Sequence, residues 1–148
     1  MRALFAVILS VILFHAQAEI ENFTGMTVPE AQQKLEAGDI SSEQLVRFYL
    51  RRIKQIDQSG PKLNSILLIN NQALNDAKAL DAEQRDIGRR SSLHGVPVVL
   101  KGNIDISGFA NTAGSVTMIN NNPSKDAFVV NQLRKAGAVI LGVANLSE

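Results

Sequence analysis

Lys101 is the residue of this sequence best placed to do chemistry. It closes the apolar run Val96, Val98, Val99 and Leu100 inside LHGVPVVLKGNID, Leu93 to Asp105, with Gly95 and Pro97 ahead of the run and Gly102 and Asn103 behind it. A short β-branched run bounded by turn residues predicts a buried strand of a parallel sheet. The last residue of such a strand sits at its carboxyl end, the edge where open α/β sheets place their ligands. Two readings of Lys101 follow from type and position. A strand-end lysine can snorkel, with its stem on apolar surface and its head in water. An amine withdrawn from water is instead disposed to its neutral form, which accepts a proton and suits a general base.

The other residues with chemical potential lie just downstream. Gly102 to Asn122 is rich in Gly, Asn, Ser and Thr and short of apolar residues in any period, which predicts a long loop over the top of the sheet. Within it Thr112, Gly114 and Ser115 are the candidate substrate-loop residues. Their hydroxyls and glycine could also suit a phosphate, but no GxGxxG or Walker pattern surrounds them, which argues against a nucleotide site. Asp105 is read as a loop-capping or Asx-turn side chain ahead of a site carboxylate. His94 precedes a Gly-Val-Pro turn with no second histidine or carboxylate at metal-ligand spacing, so it is assigned a structural role and no metal is expected.

These residues need elements to hold them. Thr27-Val28-Pro29-Glu30 is a capping box with proline at the first helical position, opening a helix that runs to Ala37 and stops at Gly38. Ser41-Ser42-Glu43-Gln44 opens a second helix, with Leu45, Val46, Tyr49, Leu50, Ile53 and Ile56 as its apolar stripe and Arg47, Arg51, Arg52 and Lys54 on the outer side. Leu63 to Ile69 is predicted as a strand and Asn71 to Ile87 as a helix facing inward through Ala73, Leu74, Ala77 and Leu80. A helix from about Lys125 to Ala136 is expected to bury Phe128, Val129 and Leu133, with Gly137 as its cap and Ala138 to Leu141 as the next strand. Strand, crossover helix and strand make a βαβ unit with the two strands parallel.

Composition narrows the function classes. With 148 residues and 45% hydrophobic content the chain can fill one modest domain. Lys plus Arg number 15 and Asp plus Glu 14. Loss of a leader carrying Arg2 would bring the two to parity, so neither nucleic acid nor an anionic membrane is an expected partner. No cysteine is present, which excludes disulfides, a Cys-based zinc site and a cysteine nucleophile. Residues 1–18 read as a secretory signal peptide: Arg2 is the basic start, Ala3 to Phe14 the apolar stretch and Ala16-Gln17-Ala18 the small-x-small cleavage site. The apolar stretch is shorter than the ~20 residues of a spanning helix. Export to the periplasm or outside, with no stable membrane anchor after cleavage, is the expectation.

LHGVPVVLKGNID, then NTAGS at Asn111 to Ser115, DAFVVNQLRKAGAVILG at Asp126 to Gly142 and NLSE at Asn145 to Glu148 together resemble the amidase signature family in sequence and order. A looser likeness extends back to about Val28. The resemblance implies an α/β fold in which N-terminal helices lead into a mixed, mainly parallel sheet with flanking helices. Residues 19–148 would be the N-terminal part of a single amidase domain. It also implies hydrolysis of a carbon-nitrogen amide bond by a Ser-cisSer-Lys mechanism without cofactor, with Lys101 as the catalytic lysine and a small-molecule or peptide amide as substrate. In that family both serines lie in a Gly/Ser-rich segment after NLSE, so this chain alone is expected to be inactive. Gly102 departs from the Asp the family often carries, and Gly142-Val143-Ala144-Asn145 from Gly-Lys-Thr-Asn. The alternative is a truncated or non-catalytic α/β scaffold acting as a binding protein, and Gly102 is the feature that leans toward it. The oligomeric state stays open.

Overall fold

The structure is a computed structural model and describes residues 22–147. The signal-peptide reading of residues 1–18 lies outside them. Helix α1, Val28–Ala37, has the expected reciprocal capping box between Thr27 and Glu30 and ends at Gly38, φ +77°, but it begins at Val28, so Pro29 is its second residue and not its first. Helix α2, Ser42–Arg52, has a second capping box between Ser41 and Gln44 and runs into a π-helical turn, Ile53–Asp57. Its first turn has a further cap from a distance. The Asp81 carboxylate accepts from the backbone N–H of Ser42 at 2.7 Å and of Glu43 at 3.0 Å.

Strand β1 is Ile66–Ile69, helix α3 Ala73–Asp86, strand β2 Pro97–Lys101, helix α4 Phe128–Lys135 and strand β3 Val139–Ala144. The sheet is small and mixed, in the order β1-β3-β2, with β2 parallel and β1 antiparallel to β3. The strand predicted from Leu63 begins only at Ile66, because Lys62 and Asn64 hold positive φ and keep the chain in a turn. The fully buried strand is not the one carrying Lys101. β3 lies between its two neighbours and is buried from Val139 to Val143, whereas β2 has one strand partner among the described residues and leaves Val99 40% exposed.

Three apolar clusters hold this arrangement. Leu35 and Leu45 pack with Phe23, Phe48 and Val96. Val46 of α2 and Ala73, Ala77 and Leu80 of α3 cover Val139 and Leu141. On the other side Ile140 and Val143 pack with Leu100, Ile106 and Val130. Ile140 and Val143 share a side because the β2–β3 register slips by one residue after Val98. Burial of each large side chain in these clusters stabilises the fold by about 1.5–3 kcal/mol.

Two further expectations are corrected. Phe128 is 79% exposed and Val129 47%, while Val130 is fully buried. Helix α4 begins three residues late because Asp126 is committed to the Ser107 N–H and to Arg134, and Ala127 donates its N–H to the Asp105 carbonyl. That anchoring turns Ala127, Val130 and Leu133 inward as one i, i+3 face. Phe48, absent from the predicted stripe of α2, is buried edge-on against Phe23 at 5.2 Å, with the Arg51 and Arg52 guanidinium groups within 6 Å of its ring. No helix among the described residues is long and apolar enough to cross a membrane.

Candidate active site

The parallel register decides what meets at the carboxyl edge of the sheet. Lys101 is the last residue of β2 and lies opposite Ala144, the last residue of β3. The chain leaving β3 therefore passes directly beside the chain leaving β2. Gly102 donates its N–H to the Ala144 carbonyl at 2.9 Å, and Ile104 closes a turn onto the Lys101 carbonyl at 3.0 Å. Lys101 itself is half-buried, and its Nζ donates to the Ser147 hydroxyl oxygen at 2.5 Å.

The segment that carries Ser147 is fastened at its base. Asn145 donates its backbone N–H to the Ser65 carbonyl at 2.7 Å, and its side-chain oxygen accepts from the Leu146 N–H at 2.9 Å. Ser65 is held in turn by Asp57, a buried carboxylate that accepts from the Ser65 hydroxyl and from the backbone N–H groups of Ser65 and Ile66. These donors, the Ser65 hydroxyl foremost, hold the Asp57 carboxyl below its ordinary range against the opposing effect of burial.

The long loop after β2 contains one regular piece, a single 3₁₀ turn at Val116–Met118. Asn111, buried, donates to the Asp105 carboxylate at 2.5 Å and pairs with Asn121 through backbone and side chain. Asp105 is thus a loop-holding carboxylate, as its sequence context suggests. Thr112 to Ser115 is a tight turn closed by the Ser115 N–H on the Thr112 carbonyl at 2.8 Å, with φ +44° at Ala113 and +73° at Gly114. A Cβ at Gly114 would stand 2.8 Å from the Leu146 side chain. Gly114 therefore touches the segment that brings Ser147 to Lys101. The hydroxyls of Thr112 and Ser115 are used inside the loop: Thr112 accepts from the Gly114 N–H, and Ser115 pairs with Thr117. Neither is bonded to Lys101 among the described residues.

His94 is buried, with Nε2 2.9 Å from the Leu80 carbonyl and Nδ1 accepting from the Arg90 N–H at 3.2 Å. Both ring nitrogens are spent on backbone, which makes it a structural histidine. No group of three His, Asp or Glu side chains is gathered for a metal ion among the described residues. A cavity of about 600 Å³ lies elsewhere, lined by Leu68, Asn70, Asp76, Phe109 and Arg134 among others, and it does not include Lys101. Ser147 is the neighbour of Lys101 that the sequence alone did not single out. Its signal lay in the parallel pairing: once β2 and β3 end level, the residues just after β3 must neighbour Lys101.

Against known proteins, residues 44–148 match the family model described as Amidase. The chain belongs to the amidase family. A glutamyl-tRNA(Gln) amidotransferase component from Halorhodospira halophila is 42% identical over 123 residues, 82% of this chain and 25% of that protein. The native peptide amidase of Stenotrophomonas maltophilia superposes with a TM-score of 0.80 at 40% identity, covering 85% of this chain and 26% of that one. An amidase family protein of Bacillus anthracis gives a TM-score of 0.76 at 36% identity, over 90% of this chain and 28% of that one. The two solved amidases thus share this α/β architecture, and the chain spans about a quarter of the length of these relatives.

Proposed function

We propose that Lys101 is the general base of an amide hydrolysis, in an enzyme of which residues 19–148 form the N-terminal part of the catalytic domain. The observation that carries this reading is the position of its amine at the carboxyl edge of a parallel strand pair, in a chain of the amidase family. The residues that complete the mechanism are the two serines of the Ser-cisSer-Lys arrangement, assigned by the resemblance to a Gly/Ser-rich segment that residues 1–148 do not contain. One serine oxygen bonds to the amide carbonyl carbon while its proton passes through the second serine to the neutral amine of Lys101. Collapse of the tetrahedral intermediate breaks the carbon–nitrogen bond, and the proton returns from the lysine ammonium to the leaving amine. Water then attacks the acyl ester by the same proton route and releases the acid. Residues 1–148 alone supply the base without the nucleophile, and no turnover is expected of them.

A small-molecule or peptide amide is the proposed substrate. A peptide amidase with TM-score 0.80 to this chain was solved with the competitive inhibitor chymostatin, which supports an acyl pocket of that kind. Thr112, Gly114 and Ser115 are proposed to shape the loop beside it. The alternative of a non-catalytic scaffold rested on Gly102, and Gly102 has a packing reason: a Cβ there would stand 3.1 Å from the Ala144 carbonyl oxygen. The test is turnover of the full-length protein with Lys101 replaced by alanine and by arginine. Residues 1–18 are proposed to direct export, with cleavage after Ala18. Intact mass of the exported protein checks this, and a membrane-retained product still carrying Met1 would overturn it.

A further inference from the structure

We propose that Ser147 is a positioning residue for Lys101: by accepting one N–H of the amine it confines the amine's lone pair to directions away from Ser147. This rests on the reading of Lys101 as the base. A neutral lysine amine carries two N–H bonds and one lone pair, turns through three staggered positions about its last carbon–nitrogen bond, and sits on a stem with ~2 kcal/mol of rotamer entropy. Left to itself, such an amine presents its lone pair to the incoming proton only part of the time. Proton transfer needs the acceptor within hydrogen-bond reach and correctly oriented.

Three observations join at this contact. The Lys101 Nζ donates to the Ser147 oxygen at 2.5 Å, and the lone pair of a neutral amine so engaged is confined to the directions away from Ser147. The hydroxyl is carried on a held segment: Asn145 is bonded to the Ser65 carbonyl at 2.7 Å, and the Leu146 side chain lies so near the Gly114 turn that a Cβ on Gly114 would stand 2.8 Å from it. The level ends of β2 and β3, with Lys101 opposite Ala144, start the segment that carries Ser147 beside the lysine. The contact also survives the reaction. Once Lys101 has accepted the proton it has three N–H donors, and the one on Ser147 need not move, so the site is organised for both protonation states.

The test uses the full-length protein and an N-acylated dipeptide amide, with ammonia release as the readout of kcat and KM for Ser147→Ala, Ser147→Thr, Lys101→Ala and the double variant Ser147→Ala/Lys101→Ala. Ser147→Ala is expected to lower kcat by roughly tenfold or more with KM within about twofold, and Ser147→Thr, which keeps the hydroxyl, to restore most of it. Because Ser147 acts through Lys101, Ser147→Ala is expected to be silent in the Lys101→Ala background. Parent-like kcat in Ser147→Ala, or the same loss with and without Lys101, overturns the positioning role while leaving the base reading intact. Trapping of an acyl group on Ser147 also overturns it, since that would make Ser147 the nucleophile. A parent without turnover, or a Lys101→Ala variant as active as the parent, overturns the base reading and this inference with it.

Discussion

Gly102 donates its N–H to the Ala144 carbonyl at 2.9 Å, which ties the residue after the lysine to the last residue of the neighbouring strand. The same closeness leaves little room for a side chain. A Cβ at Gly102 would meet the Ala144 oxygen at 3.1 Å, Leu67 at 3.4 Å and Val143 at 3.6 Å.

Gly102→Asp is therefore expected to lose stability, by about 2–4 kcal/mol from overpacking and from a carboxylate set among Leu67 and Val143. Gly102→Ala should lose about 1–2 kcal/mol. Denaturant unfolding of both variants checks the order. A Gly102→Asp protein as stable as the parent and faster in turnover would show that the glycine weakens the site instead of packing it.

Gly137 and His94 form a second tight pair. Gly137 has φ +85°, and a Cβ there would stand 2.9 Å from His94 Nδ1 and 3.1 Å from its Cα. Gly137→Ala combines left-handed backbone strain with a clash against a buried ring, and should cost about 2–4 kcal/mol. His94→Leu leaves the Leu80 carbonyl and the Arg90 N–H without their partner, a loss of about 1–3 kcal/mol for each group that stays buried. Both variants are expected to lower the thermal midpoint while the activity of the folded fraction holds. Loss of turnover from His94→Leu at an unchanged midpoint would make it a site residue.

Asp57 gives a pH dependence of defined sign. Hydrogen bonds from Ser65 and Ile66 hold its folded carboxyl below the unfolded value of about 4. Its contribution is therefore complete above that value, declines as pH falls past it, and is gone once pH drops below the folded value. Asp57→Asn should be less stable than the parent at pH 7 and should draw level with it in acid. Denaturant midpoints at pH 7 and pH 3 decide this, and a constant gap between the two proteins would contradict it.

Local signals in the sequence were sufficient where the physics is local. The capping boxes at Thr27 and Ser41, the stop at Gly38 and the strand ending in Lys101 all depend on residues within one turn of each other. What the sequence hid depends on distant partners. Asp81 caps α2 from 39 residues away, and the commitment of Asp126 to Ser107 and Arg134 delays and turns α4, burying Val130 where Phe128 and Val129 were expected. The buried place of Phe48 follows from Phe23, whose approach no helical period predicts. At the site, Lys101 was legible as a strand end, and Ser147 only through the register that brings β3 level with β2.

The most direct measurement is turnover and thermal midpoint of the full-length protein with Lys101→Ala and Lys101→Arg. A positioned general base contributes roughly 10²-fold or more, so Lys101→Ala should lose at least that factor in the acylation rate with the midpoint nearly unchanged. Lys101→Arg keeps charge and approximate length, but a guanidinium stays protonated and cannot take the serine proton, so it should be as inactive as alanine. Near-normal turnover in Lys101→Arg would contradict the base role and return Lys101 to a strand-end cation with its head in water.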